Sequence, residues 1–308
     1  MHMNTDLSSM MAQAAQTKER YFGRDINFCF TGAGFPALSL TGSSCALSCK
    51  HCKRKLIERL TPAKTPEALK KACLDASGRG AKGVLLTGGC TPDAKVPVYG
   101  FLEAVSEIKK ETGLIMLAHT GITDEAEARL IKESGIDGVC LDVVGSPEVS
   151  EEIYGVRITP GMYRDTLLAF EKAGMKSVAP HVCIGLLYGR PSHEEAALDI
   201  ISCIKPSSIV LIGLTDLEGT PMQGMKISPE DFIRILCLAR KKFPDTYISL
   251  GCARGKGAIR AEIDRMAVSA GVNAIAVPTA ASYMRAKELG LRINEYSACC
   301  SLLPEQLR

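Results

Sequence analysis

Eight short apolar runs alternate with amphipathic stretches along almost the whole chain, and this alternation constrains the fold more than any other feature. The runs cover 37–42, 83–87, 113–119, 138–144, 177–187, 208–215, 247–252 and 274–278. Most are rich in Val, Ile and Leu, the pattern of strands buried on both faces. The segments between them, 65–77, 99–111, 124–134, 160–173, 193–204, 229–242 and 258–270, carry apolar residues at helical spacing. Gly113, Gly135, Gly174 and Gly271 each stand where a helix should end before the next strand. Eight strands with intervening helices in 308 residues predict an α/β protein, a (β/α)8 barrel of the TIM type. A doubly wound open sheet is the competing arrangement, and the even spacing favours the barrel. No linker or composition shift divides the chain, so a single domain over 1–308 is expected, with an N-terminal helical extension (1–25) and a C-terminal tail (291–308) closing the barrel mouth.

Composition removes several function classes. The net charge is +3, from 37 basic and 34 acidic residues, which makes no electrostatic case for nucleic acid or an anionic membrane. The chain has no Trp and only 5% aromatic residues, too few for a base-stacking platform. No apolar run approaches the roughly 18 residues of a membrane span, and residues 1–20 lack the apolar core of a signal peptide, so a cytoplasmic protein is expected. Thirteen cysteines, an odd number without a secretion signal, are then thiols, metal ligands or catalytic groups rather than a disulfide framework.

The first strand leads into Cys45-Ala46-Leu47-Ser48-Cys49-Lys50-His51-Cys52, a C-x3-C-x2-C spacing on a loop. Such a loop lies at the C-terminal mouth of a barrel, where these folds place their active sites. Three thiolates can hold three irons of a [4Fe–4S] cube and leave the fourth iron open. Zinc is the alternative, although structural zinc wants four protein ligands and His51 sits awkwardly between two of the cysteines. The second strand ends in Gly88-Gly89-Cys90 and the fourth in Asp142. Cys90, Cys140, Cys183 and Cys252 lie in or just after strands, and Cys299-Cys300 stand together in a polar tail, whereas Cys73, Cys203 and Cys237 fall in helices as small apolar groups. The environment of Cys29 is undecided.

These motifs resemble the radical S-adenosylmethionine (SAM) superfamily. The resemblance implies that Cys45, Cys49 and Cys52 bind a [4Fe–4S] cluster whose open iron chelates SAM, and that an electron from it yields a 5′-deoxyadenosyl radical. It further implies that His51 packs near the adenine and that Gly88 and Gly89 offer bare backbone to the methionyl amine. Asp142 would bind the ribose hydroxyls, with a helix cap as its alternative, and Arg164 would pair with the SAM carboxylate, with a solvated helix face as its alternative. Cys90 departs from the family pattern, which has Glu there.

The strand count, the segments 180–189 and 212–222, the Ser249–Arg254 turn and Ala270-Gly271-Val272-Asn273 resemble the full-barrel branch that contains biotin synthase. The tail 296–301 and the Gly-Gly-Cys variation are most similar to the two-component lipoyl synthase proteins. That likeness implies sulfur insertion into an unactivated C–H bond of an octanoylated lipoyl carrier protein, with a second radical SAM protein as partner and a reducing electron donor. It also implies an auxiliary iron–sulfur cluster on Cys252, Cys299 and Cys300, with Cys90 or Cys183 as the fourth ligand. The C-x4-C-x5-C set and the Arg-Ser-Ser-Tyr end of classical lipoyl synthase are both missing. A biotin synthase-like radical SAM mutase or a metallocluster-assembly enzyme is the alternative. From other classes, a zinc-stabilised scaffold and a barrel hydrolase remain. For the latter, His119 and His181 are the only strand-end histidines, and no carboxylate is placed with both, so they are expected to line the substrate cavity.

Overall fold

The computed structural model describes residues 6–307. Asp6 caps the first helix, α1 (Leu7–Phe22), by accepting a hydrogen bond from the Ser8 amide. The strands and helices that follow are β1 (Asp25–Cys29), β2 (Ala37–Ser39), β3 (Thr61–Pro62), α2 (Pro66–Gly78), β4 (Gly83–Thr87), α3 (Leu102–Glu111), β5 (Ile115–His119), α4 (Glu125–Glu133), β6 (Gly138–Asp142), α5 (Pro147–Tyr154) and α6 (Pro160–Lys172). The second half contains β7 (Ser177–Ile184), α7 (Glu194–Ile201), β8 (Ser208–Gly213), α8 (Pro229–Lys242), β9 (Tyr247–Leu250), α9 (Gly257–Ser269), β10 (Ala274–Ala276), α10 (Ala280–Glu288) and β11 (Arg292–Tyr296).

Helix starts follow from local chemistry. Thr65, Ser146, Thr159 and Ser228 each accept from an amide of the first turn, and each is followed by Pro at the first helical position. Asp124 and Glu127 form a reciprocal capping box on α4. Gly135, Gly174 and Gly271 take the left-handed conformation expected where a helix ends. Gly113 does not, because α3 stops at an extended Thr112 instead.

Among the described residues, all eleven strands run parallel in the order β11-β1-β10-β9-β8-β7-β6-β5-β4-β2-β3. The eight predicted strands are all present, as β2 and β4 through β10, several shorter than expected; β1, β3 and β11 were not anticipated. The sheet curls into the (β/α) barrel shape, but β10 pairs with β1 rather than with β2, so its edges β11 and β3 do not close on each other by strand pairing. Apolar packing fills the seam instead. Phe35 and Leu117 pack with Ala298, Cys299 and Leu302 from the segment after β11.

Alternate residues of the inner strands face opposite ways, and both faces are buried, whereas the edge strands β3 and β11 have no buried residue. On β6, Val139 and Leu141 join the large core between sheet and helices, whereas Cys140 joins an interior cluster with Cys29, Ala179, Val210, Tyr247, Ala274, Ala276 and Cys300. The small inward residues Ala179, Ala274 and Ala276 leave room in the barrel. The segment after β11 occupies it.

That segment corrects the expectation for the tail. Residues 292–296 are a strand paired in parallel with β1, and Ser301 then accepts from Ser208 Oγ at 2.9 Å. Ser208 is the first residue of β8, so the tail enters the barrel from the end where the strands begin and does not fold across the mouth. Tyr296 lies beside Cys29 at the end of β11, and the chain turns inward from there, with Ala298, Cys299, Cys300, Ser301 and Leu302 all buried.

A buried ion pair ties the last strands together at the mouth. Arg254 and Asp264 are fully buried and meet at 2.6 and 3.1 Å, and Arg254 also donates to the carbonyls of Gly251 and Val277. No helix among the described residues is long and apolar enough to cross a membrane.

Candidate functional site

The cysteine loop leaves β2 at the C-terminal end of the sheet and is sewn to the segment after β4. Gly89 donates its amide to Thr41 Oγ1 at 2.7 Å, Ala46 donates to the Cys90 carbonyl at 2.8 Å, and the Cys90 amide donates to Cys45 Sγ at 3.2 Å. An amide aimed at a sulfur stabilises a thiolate and is one of the contacts that tune cluster potentials. Gly89 is required by this packing. A Cβ there would stand 2.1 Å from the Ser44 carbonyl oxygen and 2.5 Å from Cys45 Cβ. Beyond the last cysteine, Lys53 and Arg54 adopt left-handed backbone (φ 46° and 70°), which turns the chain back over the loop.

Cys49 is buried, while Cys45 and Cys52 are half-buried. The Cys49 thiol donates to Cys52, which pushes Cys52 down to about 4, with His51 adding to the effect. The same bond, with burial, pushes Cys49 up. The thiolate is the form that ligates, and the contacts to Cys45 and Cys52 favour it. The ligand atoms of Cys49, His51 and Cys52 lie within 4.8 Å of one another. Cys45 stands apart from that group, its sulfur engaged by the Cys90 amide, so the four do not form a closed tetrahedral zinc site. His51 Nδ1 is buried with no hydrogen-bond partner, and its ring lies 5.5 Å from that of Tyr154. An orphaned buried nitrogen beside Cys49 and Cys52 fits a bound cluster and cofactor better than a finished protein core.

Beside this loop a cavity of about 530 Å³ is lined by Thr41, Ser44, Cys45, Arg54, Gly89 and Cys90, within the size range of small-molecule cofactor sites. Asp142 is exposed at the end of β6 and pairs in register with His181. It caps no helix, because Ser146 caps α5. Burial, followed by the Asp142 charge, pushes the hydroxyls of Tyr154 and Tyr163 well up, which places the carboxylate within electrostatic reach of both.

Arg164 is not brought to the site. The buried face of α6 is Tyr163, Thr166, Leu167 and Phe170, so Arg164, one residue on from Tyr163, points to solvent beside Cys203. Cys252 is exposed just past β9, whereas Cys299 and Cys300 are buried in the interior. Cys299 accepts from Cys300 and lies 3.1 Å from Ser301 Oγ, which together push its thiol down to about 6. The thiols packed with Cys300 are Cys29 and Cys140. Cys90 and Cys183, the expected fourth ligands, stand elsewhere. Cys90 is bonded to Cys45 at the mouth, and Cys183 lies on β7 within reach of the charges of Asp142 and Glu194.

Arg54 and Tyr154 were missed by sequence reasoning. Arg54 had a signal, a cation two residues past the last cysteine; Tyr154 had none, because α5 brings it to His51 across a hundred residues.

Comparison with known proteins agrees with this geometry. The Radical SAM superfamily profile matches residues 39–204, and the Biotin and Thiamin Synthesis associated domain profile matches 200–288. A biotin synthase of Rickettsia felis is 29% identical over 255 residues, 77% of this chain and 77% of that protein. A biotin synthase of Histophilus somni is 24% identical over 282 residues, 88% and 82% of the two chains. Among solved structures, a methylornithine synthase superposes with a TM-score of 0.67 at 18% identity, covering 96% of this chain and 91% of that one. An FeFe-hydrogenase maturase from Carboxydothermus hydrogenoformans superposes with a TM-score of 0.65 at 21% identity, covering 88% and 63%. With the superfamily profile spanning more than half of the residues and including the cysteine loop, this chain belongs to the radical SAM superfamily.

Proposed function

We propose that the protein is a radical SAM enzyme that inserts sulfur into an unactivated C–H bond. The observation that carries this reading is the burial of Cys299 and Cys300, with Cys29 and Cys140, inside the barrel that the cysteine loop covers. The biotin synthase relatives support it. Cys45, Cys49 and Cys52 would hold the [4Fe–4S] cluster, which with bound SAM supplies one electron and a 5′-deoxyadenosyl radical.

The remaining roles belong to the chain itself. Gly89 keeps its backbone against Cys45 and leaves the adjoining cavity open. Asp142 holds an unpaired carboxylate at the mouth, able to accept from hydroxyl groups. The tail stops the barrel from below and excludes water, so that a carbon radical meets only the intended partner. Cys299, held toward the thiolate by Cys300 and Ser301, is the buried thiol best prepared to ligate an auxiliary cluster, with Cys300 and Cys252 as expected from the sequence and Cys29 in place of Cys90 or Cys183.

The narrower reading, an octanoylated lipoyl carrier protein as substrate with a second radical SAM protein as partner and a separate electron donor, rests on the tail's likeness to two-component lipoyl synthases. A second reading, a radical SAM mutase or a metallocluster-assembly enzyme, is favoured by the fold likeness to methylornithine synthase and the hydrogenase maturase.

The test is anaerobic. Reduced wild type with SAM should release 5′-deoxyadenosine, and Cys49→Ala should release none. The Cys45/Cys49/Cys52→Ala triple variant should keep a second iron and sulfide pool, which Cys299→Ala/Cys300→Ala loses together with all C–S product. Full iron and full sulfur insertion in that double variant would overturn the sulfur-donor role; 5′-deoxyadenosine with a rearranged, sulfur-free product would favour the mutase.

A further inference from the structure

We infer that the inner wall of the barrel carries a separate mononuclear metal site, formed by His119, Cys140 and His181, which takes a borderline divalent cation, Zn²⁺, and leaves a fourth position open to a donor atom of the substrate. The three residues come from the adjacent strands β5, β6 and β7, whose register pairs His119 with Cys140 and places His181 beside Asp142. Their ligand atoms lie within 4.8 Å of one another. Bonds of about 2.0–2.3 Å to one tetrahedral ion set its ligands roughly 3.3–3.8 Å apart, so a small inward movement of side chains suffices.

The orientation of the rings agrees. His181 Nδ1 donates to the Ala179 carbonyl at 2.9 Å, which fixes the tautomer and leaves the Nε2 lone pair free, the usual outer-shell device behind a metal-bound imidazole. The two rings are 5.2 Å apart and tilted by 58°, without a hydrogen bond between them. Among the described residues, the Ala179 contact is the only hydrogen bond to either ring, so the remaining ring nitrogens are free to ligate. A Cys140 thiolate together with the nearby Asp142 carboxylate would balance a doubly charged cation. Strands hold all three ligands, so the site is pre-positioned rather than assembled from loops. Two imidazoles and one thiolate with an open fourth place is the ligand count of a catalytic rather than a structural zinc site. The site shares Cys140 with the buried thiols of the proposed function but uses none of the expected auxiliary-cluster ligands Cys252, Cys299 and Cys300.

The experiment uses the full-length, cluster-loaded protein. Zn²⁺ is added anaerobically, excess is removed by desalting, and metal content and the zinc X-ray absorption spectrum are recorded. One retained equivalent with a single sulfur and two imidazole nitrogens is expected. His119→Gln and His181→Gln should each lower zinc affinity at least tenfold, with the iron count and 5′-deoxyadenosine release unchanged. Failure of the sulfur-insertion reading would instead appear in iron or product with zinc retained. No zinc above the His181→Gln level, or an ion surrounded by three or four sulfurs, would overturn the site. If a variant does not fold, as judged by its melting curve, the wild-type spectrum alone decides between the same two outcomes.

Discussion

Replacing Gly89 with Ala adds one methyl group at the tightest point of the cofactor loop. The new Cβ would lie 2.1 Å from the Ser44 carbonyl oxygen, 2.5 Å from Cys45 Cβ and 2.6 Å from Cys45 Cα. Carbon contacts are comfortable at about 3.5–4.0 Å, so the two segments must part by about 1 Å. None of the three atoms is the end of a flexible side chain, so the backbone of a ligand residue has to move. The segments are also joined by the Ala46–Cys90, Gly89–Thr41 and Cys90–Cys45 hydrogen bonds, of which at least one must break. Overpacking costs about 1–3 kcal/mol, and each lost hydrogen bond adds about 1 kcal/mol. A domain with about 5–15 kcal/mol of stability survives this. A metal site whose ligand distances tolerate only about 0.2 Å does not. Gly89→Ala should therefore fold with a slightly lowered melting temperature, yet take up little iron in the cysteine loop and release almost no 5′-deoxyadenosine. Gly100→Ala, whose Cβ meets nothing within 4 Å, is the control and should behave as wild type. Anaerobic reconstitution followed by iron and sulfide counts and SAM cleavage makes the measurement. Wild-type iron and wild-type cleavage in Gly89→Ala would refute the packing argument.

Asp264→Asn should leave the buried Arg254 charge uncompensated and cost about 3–5 kcal/mol, lowering the melting temperature by about 5–8 °C for a chain of this size; an unchanged calorimetric transition would contradict it. His193 is fully buried, its Nδ1 accepts from the Gly145 amide, and burial holds its pKa below the ordinary value. The unfolded chain therefore binds more protons than the folded one as the pH falls below about 6.5, so stability present at neutral pH declines on acidification, and His193→Gln should flatten that slope in urea titrations between pH 7.5 and 5.5. Removal of residues 297–308 should uncover the apolar seam around Phe35 and Leu117, cost several kcal/mol of burial, and increase binding of a hydrophobic dye; a truncated chain that melts like the full one would show that the tail is not structural.

The eight central strands were legible because burial on both faces demands continuous Val, Ile and Leu, a composition visible without partners. The two strands at the β11 end of the sheet were not. β1 and β11 include Asp25, Asn27, Arg292, Asn294 and Glu295, and what makes them strands is pairing across the length of the chain, with Arg292 on Asp25 at 2.6 Å and Asn294 on Asn27 at 3.0 Å. Arg164 illustrates the complementary error. It lies in the right helix, but one residue is about 100° of helical rotation, and Tyr163 took the inward position.

The sequence by itself determined the cofactor chemistry of this protein. C-x3-C-x2-C lies within eight residues, so the ligand spacing is set by covalent chain geometry and survives without tertiary knowledge; the same is true of the Gly88-Gly89 pair that must pass close to it. Only the tertiary structure decided which of the other ten cysteines share a space. Cys29, Cys140, Cys299 and Cys300 meet because four distant segments pack into one barrel interior. His119, Cys140 and His181 converge because three strands align in one register, and a register is a property of the paired sheet that no single strand carries alone.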